Sequence, residues 1–96
     1  MKKSKLMHIP LYLRDKDSGD FAQVIEQNGD EVFAYYIDLS RGRYSASIGS
    51  ISVNLKNDLD CVEVLTPEVC EKLHSKLHMI RQRNVKEALA LSRKSK

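Results

Sequence analysis

From Phe21 to Tyr44 the chain reads FAQVIEQNGDEVFAYYIDLSRGRY. Two apolar-rich runs flank Asn28-Gly29, a strong short-range signal for a two-residue hairpin turn. A second tight reversal is expected at Arg41-Gly42. If both turns hold two residues, Val24 lies opposite Phe33, Ala22 opposite Tyr35, Leu39 opposite Tyr44, Ile37 opposite Ala46 and Tyr35 opposite Ile48. Strand side chains alternate between faces. That register puts Ala22, Val24, Phe33, Tyr35, Ile37, Leu39, Tyr44, Ala46 and Ile48 on one almost wholly apolar face, the expected core. The other face carries Phe21, Gln23, Ile25, Val32, Ala34, Tyr36, Asp38, Ser45 and Ser47. Its apolar members, Phe21, Ile25, Val32 and Tyr36, are surplus to a single core.

Working outward, Leu6–Leu13 reads as a first strand that Pro10 restricts to an edge or a bulge. Asp15–Asp20 is a turn or short loop, and Arg43–Ile48 continues the second hairpin. Ser50–Leu55 and Cys61–Leu65 are two more strands about the polar turn Lys56–Asp60. The pattern then changes. Thr66 is an N-cap candidate, Pro67 suits the first helical position, and Glu68 suits the positive end of the helix dipole. The helix is expected to run from Pro67 to about Leu91, with Asn84-Val85-Lys86-Glu87 resembling a second capping box and leaving a break or kink near Arg83 open. Val69, Leu73, Leu77, Ile80, Ala88 and Leu91 form the side expected to cover the sheet. Cys70, His74, His78, Val85 and Leu89 form another, apolar toward its end.

The expected fold is α+β: a curved antiparallel sheet of five to six short strands, a meander or partly closed barrel, followed by one long C-terminal helix packed on one face. At 96 residues the chain makes a single domain. It divides into the sheet (6–65), the helix (66–92) and basic, flexible tails at 1–5 and 93–96. No apolar run approaches the roughly 20 residues a bilayer requires. The basic start Met1-Lys2-Lys3-Ser4-Lys5 is followed by a stretch interrupted by His8 and Pro10, without a small-residue cleavage site, so no secretory signal is read. With only Cys61 and Cys70, the expected location is the reducing cytoplasm.

The net charge is +3, but six of the sixteen basic residues sit in the tails. Asp20–Leu39 holds five acids and no Lys or Arg, whereas Lys72–Lys96 holds eight bases and the single acid Glu87. Such a dipolar chain steers toward charged partners; it is not the uniformly basic body of a non-specific nucleic-acid coater.

Reactive chemistry finds little support. Cys61, Cys70, His74 and His78 are zinc-ligand types, but residues eight apart on a helix are separated by about 12 Å, too far for one metal. The plainer reading is a small buried thiol and two surface or interface histidines. No metal or cofactor is therefore expected. There is no nucleophile elbow at Ile48-Gly49-Ser50-Ile51-Ser52 and no Gly-rich phosphate loop, and an enzyme is not expected.

Asp38-Leu39-Ser40-Arg41-Gly42 is similar to the Asp-x-Ser-x-x-Gly stretch of PilZ cyclic-dinucleotide receptors, which are also small strand-rich domains. That pattern has glycine where this chain has Arg43. Its companion Arg-x-x-x-Arg is absent, since position 18, four after Arg14, is Ser18, and the ligand is not carried over. Separately, several strands followed by Leu65-Thr66-Pro67-Glu68 and a helix look like the coactivator-type single-stranded-DNA binders, a likeness of topology and capping over about half the chain.

The expected role is a non-catalytic binding or regulatory module acting through protein–protein contacts, with a homodimer as one form. Its interface would use Phe21, Ile25, Val32, Tyr36, Val85 and Leu89, because exposed apolar patches mark partners. The opposing structural expectation is that Leu6–Leu13 and the strands after Gly49 curl over that face and close a barrel or sandwich. The alternative role is a nucleic-acid-binding regulator using Arg41, Arg43, Lys72, Lys76, Arg83, Lys86 and Arg93 against phosphates. An exposed tyrosine stacked on a base would help it; the register above instead puts Tyr44 in the core. No small-molecule ligand and no membrane contact is evident.

Overall fold

The computed structural model describes residues 9–94. Six antiparallel strands form an open, curved sheet: β1 (Tyr12–Asp15), β2 (Phe21–Asn28), β3 (Glu31–Asp38), β4 (Arg43–Tyr44), β5 (Ser50–Asn54) and β6 (Val62–Val64). One helix, α1 (Pro67–Lys94), follows. The order across the sheet is β4-β3-β2-β1-β6, and β5 also pairs with β3. The expected α+β architecture is what the chain adopts. Of the expected first strand, residues 6–8 lie outside the described residues; the pairing begins at Tyr12, past Pro10, which has no N–H to donate.

The first hairpin does not have the predicted register. Its turn is centred on Gly29-Asp30, with Gly29 at φ +63°, and Asn28 pairs with Glu31. A bulge at Ile25 then shifts the pairing, so Ala22 faces Tyr36 and Val24 faces Ala34. Relative to the predicted pairing, Ala22 has slipped by one residue on β3, and a one-residue slip exchanges faces. Phe33 and Tyr35 are therefore half-buried on the face opposite Ala22, while Val32 and Ala34 are buried with it. The second turn is also wider than predicted: Asp38 pairs with Arg43 and Ile37 with Tyr44. β4 ends after two residues, and Leu39, Tyr44, Ala46 and Ile48 are exposed rather than in the core.

Two cores result, one on each face. Leu13, Ala22, Val32, Ala34, Val53 and Val62 form the inner one, with Val24, Tyr36, Ile51 and Leu55 packed against it. β5 and β6, after Gly49, and the end of β1 contribute Val53, Val62 and Leu13 to this cluster, but the sheet stays open and closes into neither barrel nor sandwich. The second core lies under α1 and joins Tyr12, Ile37 and Leu65 to Cys70, Leu73 and Leu77, with Phe21 packed beside them.

Thr66 starts α1 as predicted. Its Oγ1 accepts the Val69 N–H at 3.3 Å, and its carbonyl accepts the Cys70 N–H at 2.8 Å. The packed side of the helix is rotated from the prediction: Cys70 is buried and Val69 exposed, while Ala88 and Leu91 extend past any cover. The helix is unbroken near Arg83 and runs on through Lys94. Asn84 does not cap a second helix; its side-chain amide donates to the Ser40 carbonyl at 2.6 Å. No helix among the described residues is long and apolar enough to cross a membrane.

Within the second core, the Tyr12 hydroxyl lies 2.8 Å from His74 Nδ1. Burial, with the neighbouring Cys70, pushes the Tyr12 hydroxyl up to about 12. Burial lowers the His74 pKa, with Arg81 and His78 adding to the effect. A histidine held below its unfolded value contributes stability that is complete above pH about 6.5. That contribution is lost as pH falls toward the depressed folded value. The melting temperature is expected to drop between pH 7.5 and 5, and part of that drop should vanish in His74→Gln. A His74 titration midpoint at or above 6.5 by NMR would contradict this.

Candidate binding cleft

The β3–β4 turn is built to lie against α1. Asp38 organises it: Oδ1 accepts the Ser40 N–H at 3.0 Å and the Ser40 hydroxyl at 2.6 Å, while the Asp38 carbonyl accepts the N–H groups of Arg41 and Gly42. The Ser40 hydroxyl is the main cause that lowers the Asp38 pKa, aided by the Ser40 and Arg41 N–H groups and the Arg41 guanidinium. Gly42 is buried at φ +75°. A Cβ there would stand 2.4 Å from the Leu77 carbonyl oxygen and 2.9 Å from the Arg81 nitrogen. Only glycine allows this contact of backbone on backbone. The Asn84–Ser40 hydrogen bond fastens the same turn one helical turn further on.

Arg41 and Arg43 therefore leave the turn on either side of a residue seated on the helix. With Arg81, Asn84, Val85 and Ala88 they line a cleft of about 250 Å³ between turn and helix. No carboxylate among the described residues lines it. Arg41 Nε is 3.4 Å from Asp38 Oδ2, and neither Arg43 nor Arg81 forms an ion pair among the described residues.

The predicted nucleic-acid footprint does not form one surface. Arg41 and Arg43 belong to the cleft, but Lys72, Lys76 and Arg83 line a different side of α1 with Met79 and Ile80. Lys72 and Arg81 are nine residues apart, which at 100° per residue is roughly half a turn around the helix. Lys86 lies with His78, Arg81, Gln82 and Val85, and Arg93 falls in the last turn of α1. Tyr44 is exposed, not in the core, and its ring stacks on Tyr35 at 5.4 Å, with Phe33 edge-on to Tyr35 at 5.2 Å.

The predicted protein-interface set is likewise divided. Val32 is 3% exposed, inside the inner core. Tyr36 packs on the same core, and its hydroxyl donates to Asp15 Oδ2 at 2.8 Å. Phe21 packs toward α1, and Ile25 is exposed at the bulge. These four do not make one exposed patch, because the true register sends Val32 and Tyr36 inward. Val85 and Leu89 remain: each is 54% exposed, and from Arg81 to Ser92 every residue except Asn84 is exposed.

Sequence reasoning missed Arg81 and Asn84 as partners of the turn. The signal available was Gly42 between two arginines, but nothing in the sequence pairs that turn with residues 77–84. Cys61 is exposed and Cys70 buried, both as free thiols. Among the described residues no group of three His, Cys, Asp or Glu side chains is arranged to hold a metal ion. No family model, curated protein or solved structure matches the chain.

Proposed function

We propose that this domain is a small, non-catalytic regulatory module that acts through protein–protein contacts, with the second half of α1 as its contact surface. One observation carries the proposal: Val85 and Leu89, one turn apart, are each 54% exposed on a stretch of helix where, among the described residues, every position from Arg81 to Ser92 except Asn84 is exposed. Apolar side chains in such a row exclude water fully only against another chain. The partner's chemistry follows from the flanks. Arg81, Arg83 and Lys86 outnumber Glu87 along this stretch, so the complementary surface is an apolar segment edged by acids. The two free thiols fit a reducing compartment, and the cytoplasm is part of this reading.

The test is the joint substitution Val85→Gln, Leu89→Gln. Both side chains are exposed, so the melting temperature should move little. A complex retained by the wild-type chain in sedimentation, either a homodimer or a partner with an acid-edged apolar segment, should dissociate in the variant. The complex should persist at physiological salt. A wild-type chain that stays monomeric and holds nothing, or a complex indifferent to the double substitution, would refute the proposal.

A second reading, nucleic-acid binding, is favoured by Tyr44, which is exposed beside Arg43. It predicts affinity for single strands that falls steeply with salt.

A further inference from the structure

We infer that the cleft between the β3–β4 turn and α1 is an anion site, in which Arg41, Arg43 and Arg81 hold the phosphate of a phosphate-bearing ligand. The inference does not rest on the protein contact proposed above. It depends on the three guanidinium groups, whereas that contact is carried by the exposed Val85 and Leu89, although Arg81 and Val85 border both surfaces.

The composition of the cleft is the first support. Its lining holds three guanidinium groups, one amide, two small apolar side chains and no carboxylate. Like charges gathered with fewer counter-charges than cations repel one another, and a bound anion offsets that repulsion. Arg43 and Arg81 have no carboxylate partner among the described residues. Asp38 has its Oδ1 engaged twice by Ser40. Arg41 pairs with Asp38 through the other carboxylate oxygen, Nε to Oδ2 at 3.4 Å, so the uncompensated charge in the cleft is that of Arg43 and Arg81.

The second support is rigidity. Gly42 is seated on the helix backbone, and Asn84 holds the Ser40 carbonyl. Arg41 and Arg43 therefore start from a backbone already fixed relative to Arg81. A ligand entering such a site orders side chains but not a loop, which lowers the entropy opposing binding.

Charge and size then select the ligand class. Guanidinium groups match phosphate oxygens as planar forks, and several of them suit a dianion better than a lone carboxylate. About 250 Å³ admits a phosphate with a ring or sugar attached, and Val85 and Ala88 supply an apolar wall for that portion. The phosphate could belong to a free phosphorylated small molecule or to a nucleic-acid strand.

Calorimetric titration of the full chain at low ionic strength tests this with three probes: inorganic phosphate, adenosine monophosphate and a ten-nucleotide oligothymidylate. The expected result is saturable binding of adenosine monophosphate with one site per chain and weaker binding of phosphate alone. Arg43→Gln and Arg81→Gln should each weaken it at least about tenfold while leaving the circular-dichroism melt unchanged. Lys72→Gln, on the far side of the helix, should bind as wild type. Oligonucleotide binding that is tighter than the mononucleotide and lost in the same two variants supports the site with a strand as its source. Mononucleotide binding alone supports it with a free ligand, and the nucleic-acid reading then fails while the site stands. No saturable heat with any probe, or binding that survives both arginine substitutions, overturns the inference.

Discussion

Gly42→Ala is expected to lower the melting temperature by more than about 10 °C, the largest effect of any single methyl group added to this chain. Two separate costs combine. An L-residue at φ +75° loses roughly 1–2 kcal/mol relative to glycine. The new Cβ would also stand 2.4 Å from the Leu77 carbonyl oxygen and 2.9 Å from the Arg81 nitrogen. Both neighbours are helix backbone, so neither can swing aside; the turn must lift from α1, at a further cost of about 1–3 kcal/mol. Gly19→Ala is the control. Gly19 has nearly the same φ, +80°, with nothing within 4 Å of its Cβ, so it should show the conformational cost alone. Differential scanning calorimetry of the two variants separates the terms. Equal melting temperatures would mean that the turn does not rest on the helix. Because Arg41 and Arg43 flank this glycine, the alanine variant should also lose affinity for phosphate at temperatures where it remains folded.

Val32→Asp is expected to abolish folding at neutral pH, or to leave a chain that unfolds near room temperature. Val32 is 3% exposed, beside Val53 on β5 and opposite Gln27 on β2. The inner core around it is built of hydrophobic residues and no charged residue is buried among the described residues, so no cation there can pair with a carboxylate. An unpaired buried charge removes about 3–5 kcal/mol or more, against the roughly 5–15 kcal/mol that holds a domain together. The sign with pH provides a second check. Burial raises the folded-state pKa of the introduced carboxyl, so stability should partly return as pH falls through that value. Gln27→Asp, across the hairpin on an exposed residue, should change stability by only about 0.5 kcal/mol. A Val32→Asp variant as stable as wild type would place Val32 on the surface, as the predicted register had it.

The two variants bear on what can be read from residues alone. The number and order of elements were legible: apolar runs between polar turns mark the strands, and Thr66-Pro67-Glu68 marks the start of a helix whose hydroxyl cap forms as expected. The faces of the sheet were not. Asn28-Gly29 and Gly29-Asp30 are both acceptable turn centres, and the choice between them depends on which pairing buries Val32 and Ala34 with Leu13, Val53 and Val62. The bulge at Ile25 adds a second shift that no local preference announces. Such an ambiguity matters because period-two alternation converts a one-residue error into an exchange of inside and outside. Val32 and Tyr36, expected on the surface, went inward with Ala22 and Val24 for this reason, while Phe33 and Tyr35 kept the face of Ile37 and α1 but are only half-buried.

The candidate site was legible in part. Arg41 and Arg43 stand out beside a turn glycine, and Val85 and Leu89 stand out as apolar residues off the packing side of the helix. By itself, then, the chain's pattern of residue types determined the elements, the sharp change from sheet to helix, and the uneven charge. The tertiary structure alone decided that Gly42 rests on Leu77 and Arg81, that Asn84 binds Ser40 instead of capping, and that Arg81 joins two arginines about forty positions earlier in the chain. The physical reason is range. Propensity, capping and alternation act over a few residues, whereas register and helix placement are set by which apolar surfaces meet once distant segments pack.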